Sequence, residues 1–224
     1  MKARHELKYE ISFADHLLLS HRLQSILQLD SHADAHGNYR VRSMYFDDPF
    51  DSALNEKMSG LNSREKWRVR CYNEDFSFIR LEKKSKRNNL CRKQSVRLSQ
   101  QEVHSLMEGD ILFMIDRKED LLKELYFKMK SRLLRPCVIV EYTRIPFIHP
   151  AGNTRITLDS DIRTGIKNTD FFANNPLQVP TEEAYAVLEV KFDEFLPDFI
   201  ARAVQIGPRR AGAFSKYAQS RKYD

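Results

Sequence analysis

The sequence predicts an α+β fold built around an antiparallel sheet or barrel. Two observations carry that expectation. Eight short segments rich in β-branched and aromatic residues are separated by turn-prone stretches, and amphipathic stretches at helical spacing are interleaved with them. A length of 224 residues suits one domain over residues 1–224, large enough to bury a real core.

Residues 7–11 form the first strand candidate. Ser12 and Asp15 then precede an apolar stripe of Leu17, Leu18, Leu19, Leu23, Ile26, Leu27 and Leu29, which predicts a helix over 13–29. After a polar break at 30–38 comes a strand over 39–46. Pro49, at a first-turn position, and Gly60, as a stop, frame a short helix over 49–59. Strands are expected over 66–72, 76–84 and 90–98. Ser99 with Glu102 forms a capping box for a helix that Gly109 ends, and Asp116 is expected to cap a longer helix reaching Leu133, before Pro136. Strands over 138–147, 154–159 and 184–192 follow. Pro197 opens a helix through Ile206, and the tail from Ala213 can form a last one.

Composition excludes several classes. Apolar residues make up 42% and charged residues 30%, which is globular. No apolar run approaches the ~20 residues that cross a bilayer, and no secretory leader is read at the start, so the expected compartment is the cytoplasm. Cys71, Cys91 and Cys137 show no CxxC spacing, against both a disulfide framework and a zinc cluster. There is no GxxxxGK[ST] and no GxGxxG, so bound phosphate must be held by side chains. His32 and His36 around Asp34 read as a solvated turn, and no Ser/His/Asp or Cys/His arrangement stands out.

The placement of charge is the informative feature. Lys and Arg number 37 against 31 Asp and Glu, a net +6. Successive strand side chains point to opposite faces, so Lys66, Arg68 and Arg70 share one face and Trp67, Val69 and Cys71 the other. Arg80, Glu82, Lys84 and Lys86 fall together, with Lys93 on the next segment. Arg155, Thr157 and Asp159 oppose Ile156 and Leu158; Glu189 and Lys191 oppose Leu188 and Val190; Glu6, Lys8 and Glu10 share a face. The alternation is less clean around Tyr142 and Arg144, which fall with Val138 and Val140. A sheet with one wet side would also show polar alternation. A wet face usually mixes both signs, however, and close cations repel by about 1 kcal/mol or more per pair at intermediate dielectric. A barrel with these faces inward and helices over the apolar outside would be a channel for an anion. Linked phosphates suit it, since Arg matches phosphate oxygens with a planar fork and Lys supplies a compact charge. Glu82 and Glu189 then read either as carboxylates bridging a divalent metal to phosphate oxygens or as neutralisers of adjacent lysines, a role that suits Glu82 better than Glu189.

Arg4-His5-Glu6-Leu7-Lys8-Tyr9, Ser43-Met44-Tyr45-Phe46-Asp47, Lys66-Trp67-Arg68-Val69-Arg70, Leu81-Glu82-Lys83-Lys84, Tyr142-Thr143-Arg144, Arg155-Ile156-Thr157-Leu158-Asp159, Leu188-Glu189-Val190-Lys191 and Phe214-Ser215-Lys216-Tyr217 together resemble the VTC domain, the catalytic domain of the vacuolar transporter chaperone polyphosphate polymerase. That family belongs to the triphosphate tunnel metalloenzymes. The resemblance implies an antiparallel eight-stranded barrel forming a tunnel with helices outside, in a free-standing bacterial-type member. It implies that Lys8, Arg68, Arg70, Lys84, Lys86, Lys93, Arg144, Arg155 and Lys216 grip the triphosphate and the growing chain. Glu6, Tyr142, Lys191 and Ser215 would bind substrate, and Glu189 would hold Mn²⁺ or Mg²⁺. Glu6-Leu7-Lys8-Tyr9-Glu10 departs from a simple ExExK signature, which fits the polymerase branch better than the cyclase or thiamine triphosphatase branches. The expected enzyme is an ATP-dependent phosphotransferase that extends polyphosphate from pyrophosphate or longer acceptors. Hydrolysis of triphosphate and a non-catalytic polyphosphate-binding role are the alternatives. Nucleic acid is not an expected partner, Phe171-Phe172 being too short a hint. A membrane-bound partner and the oligomeric state are left open.

Overall fold

The structure, a computed structural model, describes residues 4–88, 90–181, 185–207 and 209–222. Its strands are β1 (His5–Ile11), β2 (Gln28–Leu29), β3 (Tyr39–Asp47), β4 (Arg64–Tyr72), β5 (Asp75–Arg87), β6 (Leu90–Leu98), β7 (Arg135–His149), β8 (Thr154–Thr164), β9 (Val179–Pro180) and β10 (Ala186–Phe192). The helices are α1 (Phe13–Gln24), α2 (Ser52–Met58), α3 (Gln100–Glu108), α4 (Phe113–Asp116), α5 (Asp120–Arg132), α6 (Asp198–Ala203) and α7 (Lys216–Ser220). All eight expected strands are present, so the fold class is α+β around an antiparallel sheet. The expected start of the last strand, Ala184, lies outside the described residues. No helix among the described residues is long and apolar enough to cross a membrane.

The chain divides into two compact units. One comprises Met1–Arg40, Tyr142–Ile162 and Pro180–Ser215. Its strand order is β1-β10-β8-β7, with Lys8 opposite Glu189 and Glu189 opposite Thr157 in antiparallel register. One face of these strands is apolar, and Ile11, Ile156, Leu158, Leu188 and Val190 pack with Leu19 and Leu23 of α1 and Ile200 of α6. The other unit comprises Val41–Glu141, Arg163–Val179 and Lys216–Asp224. Its order is β7-β3-β4-β5-β6, and Trp67, Val69, Cys71, Ile79, Leu81 and Val96 pack with Leu106 of α3 and Leu121, Leu122 and Leu125 of α5. In each unit burying one face of a pleated sheet under helices leaves the alternate, charged positions together on the opposite face.

Local chemistry sets most boundaries. Ser12 and Asp15 exchange bonds as a capping box for α1, and Ser99 and Glu102 do so for α3, which closes on Gly109 in the left-handed region at φ +83°. Lys83 points to the apolar side. It is satisfied there by Glu65 at 3.2 Å, by Glu124, and by the face of Trp67 at 5.2 Å.

Several helix boundaries differ from expectation: α2 begins at Ser52, so Pro49 precedes it instead of lying in its first turn, and α6 ends at Ala203, short of Ile206. The helix expected over 13–29 stops at Gln24, because Ile26 and Leu27 both return their amides to the Leu23 carbonyl and Gln28–Leu29 then pairs with Ile148 and Phe147. Asp116 ends α4 instead of capping the next helix. Arg117 is extended after it and bonds both Glu119 and Glu102, so α5 begins only at Asp120. Phe171 is fully buried and Phe172 stacks on His104 at 4.1 Å, so this pair is core packing and offers no base platform.

Candidate functional site

The charged faces form two groups, one in each unit. In the unit that holds β1 and β10, two carboxylates and two ammonium groups interlock. Lys8 Nζ lies 3.3 Å from Glu189 and 3.5 Å from Glu6, while Lys191 Nζ pairs with Glu189 and lies 3.6 Å from Glu6. Lys8 also donates to the Phe214 carbonyl at 3.2 Å, next to Ser215. Burial works against charge in this group, yet Lys191, Lys8 and Arg144 hold the Glu189 carboxyl well below its usual range. Burial likewise opposes the charge on Lys8, but Glu189 and Glu6 outweigh it and raise its pKa.

Arg144 reaches the same group from β7. Its Nε and Nη2 donate to the two oxygens of Asp159 at 2.6 and 2.7 Å, its Nη2 lies 3.8 Å from Glu189, and the buried ring of Tyr142 lies 5.2 Å from its guanidinium carbon. Arg155 stands opposite Lys191 in register but is engaged elsewhere, donating to Asp30 at 3.0 Å and to the Tyr39 hydroxyl at 3.0 Å. His32 is tied to the same Asp30, and Asp34 accepts from the amides of His36 and Asn38, which makes the 30–38 stretch a hydrogen-bonded turn.

The chemistry of the donors fits a hard divalent cation. Glu6 and Glu189 share two lysine partners, and Thr157, directly opposite Glu189, has a buried hydroxyl with no hydrogen-bond partner among the described residues. Mg²⁺-type ions are held by one or two carboxylates together with substrate phosphates. No group of three or more His, Cys, Asp or Glu among the described residues is placed to hold a metal ion by itself.

The other unit presents three cross-strand rows. Lys66, Lys84 and Lys93 stand opposite one another on β4, β5 and β6; Tyr45, Arg68, Glu82 and Ser95 form the next row from β3; Ser43, Arg70, Arg80 and Arg97 form the third. Glu82 is the hub. Arg68 bonds it at 2.6–2.7 Å and Lys93 at 2.5 Å, and although burial opposes it, Arg68, Arg70 and Lys93 hold its carboxyl far below the usual range. Arg70 is buried and donates to Ser43 Oγ at 2.9 Å. Lys86 is opposite Arg64 at the end of β5, and Lys216 opens α7.

Several residues beyond the expected set belong to these groups. Tyr45 receives a hydrogen bond from Arg68 at 3.3 Å, and Lys66 lies 5.3 Å from its ring. Burial alone would raise the Tyr45 phenol, but Arg68, Lys66 and Arg70 bring it down to about 7. Tyr217, the residue after Lys216, donates to Asp47, and Arg221 bonds Asp51 at 2.7 Å and the Tyr217 hydroxyl at 3.0 Å. Asp159 falls on the polar face by alternation, which is the signal that could have added it; nothing local marks Asp47.

A family model described as the VTC domain matches residues 3–223. The chain belongs to the VTC domain family. Three solved structures share the fold of this VTC domain. HpAC1 from Hippeastrum, described as having a dominant triphosphatase activity, is 13% identical with a TM-score of 0.53 over 99% of this chain and 95% of its own. The PH1012 protein from Pyrococcus horikoshii is 14% identical with a TM-score of 0.52, covering 96% and 97% of the two chains. A candidate adenylate cyclase from Bacillus halodurans is 14% identical with a TM-score of 0.51, covering 90% and 86%. Among curated proteins none matches the sequence.

Proposed function

We propose that this VTC domain, with residues 1–224 acting as one functional domain, is a polyphosphate polymerase that transfers the γ-phosphoryl group of ATP to the end of a polyphosphate chain. The observation that supports it is the concentration of Lys and Arg on the polar strand faces of a VTC-family chain, each face carrying a buried carboxylate, Glu189 or Glu82. In this reading Lys8, Arg68, Arg70, Lys84, Lys86, Lys93, Arg144, Arg155 and Lys216 bind and orient phosphates, with Glu6, Tyr142, Lys191 and Ser215 completing the contacts. Glu189, with Glu6 beside it, would hold Mn²⁺ or Mg²⁺. When bound, such an ion neutralises and orients phosphate oxygens. The cytoplasm, where ATP is supplied, is the compartment that fits.

Phosphoryl transfer passes through a loose transition state whose charge lies on peripheral oxygens, so positioning and electrostatic stabilisation do most of the work. The chain's own groups suit that task. Arg144 is held flat by the Asp159 fork, Arg68 by Glu82, and Arg70 by Ser43, so their guanidinium groups are oriented before substrate arrives. No protein nucleophile is needed, since the terminal phosphate of the acceptor attacks.

The second reading is hydrolysis of triphosphate or short polyphosphate, favoured by the triphosphatase activity described for HpAC1, which shares the fold. Incubating the protein with ATP, Mn²⁺ and a pyrophosphate primer and resolving products by length separates the two. Long chains support the polymerase. Orthophosphate and ADP alone support the hydrolase. Tight polyphosphate binding without turnover, unchanged in Glu189→Ala, would leave a binding module.

A further inference from the structure

The third cross-strand row aligns three cations, as the lysine row does, but all three are arginines. Arg70, Arg80 and Arg97 stand directly opposite one another on β4, β5 and β6. Like charges in directly opposed positions destabilise a sheet. In the neighbouring row Glu82 relieves that repulsion, whereas neither Arg80 nor Arg97 has a carboxylate within salt-bridge distance among the described residues. Both are nevertheless held in place. Arg80 donates to Ser95 Oγ at 3.1 Å and Arg97 to the Ser77 carbonyl at 2.8 Å, and both guanidinium groups lie over Phe78, at 4.9 and 5.5 Å from its centroid. A guanidinium carries five N–H donors, so one committed donor leaves most of each fork to offer. Exposure also rises along the row: Arg70 is buried at 5%, Arg80 is intermediate and Arg97 is exposed on β6, the last strand of the hydrogen-bonded order.

We propose that Arg80 and Arg97, in line with Arg70, form an outer subsite for linear polyphosphate, along which a chain bound at Arg70 runs out to β6. Neighbouring strands are about 4.8 Å apart, so the row extends about 10 Å, a span for several linked phosphates. Glu82 acts on Arg70 and Asp75 on Arg97 from outside the row, which itself consists of arginines on all three strands, and a stacking site for bases would leave the Phe78 ring uncovered. This inference rests on the reading of the domain as a polyphosphate-binding enzyme.

The test measures the affinity of the wild-type chain and of an Arg80→Gln, Arg97→Gln double variant for tripolyphosphate, for long-chain polyphosphate and for an RNA oligonucleotide of similar charge. The variant is expected to lose about tenfold or more in affinity for the long chain, with a salt dependence shallower by about two phosphate contacts. Tripolyphosphate affinity should stay within about twofold, and the unfolding temperature should hold or rise as the repulsion is removed. Equal loss for short and long chains, no loss for the long chain, loss confined to RNA, or a lowered unfolding temperature would each overturn the subsite. Wild-type protein that binds neither phosphate compound would instead overturn the underlying reading, so the two failures are distinguishable.

Discussion

Asp159 grips Arg144 through both carboxylate oxygens, at 2.6 and 2.7 Å, and is itself fully buried. Such a fork fixes the guanidinium plane and leaves its other N–H groups aimed elsewhere. Asp159→Asn replaces an ionic fork with one neutral acceptor and leaves the largely buried Arg144 to the more distant Glu189 carboxylate at 3.8 Å. Removing one partner of a buried pair costs about 3–5 kcal/mol. Urea denaturation is expected to show a loss on that scale, together with weaker tripolyphosphate binding. A variant as stable as wild type would show that the pair is not a structural anchor.

Glu82 holds Arg68 and Lys93. Glu82→Gln removes the only carboxylate from its row, so the cations are left to repel one another. The variant is expected to unfold at a lower temperature than wild type, and saturating tripolyphosphate should narrow that gap by supplying the missing negative charge. An unchanged gap would indicate that phosphate does not bind beside Glu82.

Tyr45 carries a pH signature. With the folded phenol at about 7 and an ordinary tyrosine near 10, the unfolded chain binds more protons between those values. The stability contributed by the phenolate is therefore present in full above about 10 and is lost as pH falls through about 7. Absorbance at the tyrosinate band should show one step near pH 7 that is missing in Tyr45→Phe. The stability of wild type relative to that variant should rise across pH 7–10.

Arg68→Ala is expected to abolish turnover while the circular dichroism spectrum and unfolding cooperativity are retained. Arg68 is partly exposed and its partners Glu82 and Tyr45 keep other contacts. Loss of folded protein would mean that Arg68 is primarily a structural counter-ion.

Tyr217→Phe tests the tie between α7 and the end of β3. Its hydroxyl donates to Asp47, whose carboxylate also accepts the Ala53 and Leu54 amides. Because Asp47 keeps those amide donors, the loss should be modest, about 1–2 kcal/mol, for one buried hydrogen bond to a charged group. Hydrogen exchange should rise in α7 and in residues around Lys216 while the β4–β6 amides stay protected.

Much of this organisation is legible in the residues alone. A pleat has a period of two, so the alternation in 66–71 already separates Lys66, Arg68 and Arg70 from Trp67, Val69 and Cys71, and the structure buries that second set under α3 and α5. Ser12 and Ser99 mark helix starts because capping is a contact between residues three apart. The reading of Glu82 as a neutraliser also follows from its cationic neighbours, and its bonds to Arg68 and Lys93 bear that out.

What tertiary structure decided is which charges become neighbours, and how dry they are. Asp159 meets Arg144, Tyr217 meets Asp47 across 170 residues, and Arg80 aligns with Arg70 and Arg97 only because the register of β4, β5 and β6 places them opposite one another. The stops at Gln24 and Asp116 are likewise set by a pairing with β7 and by the reach of Arg117 to α3. Periodicity assigns a side chain to a face, but Coulomb energy and desolvation depend on distance and burial across strands, and those are set only when the strands pair.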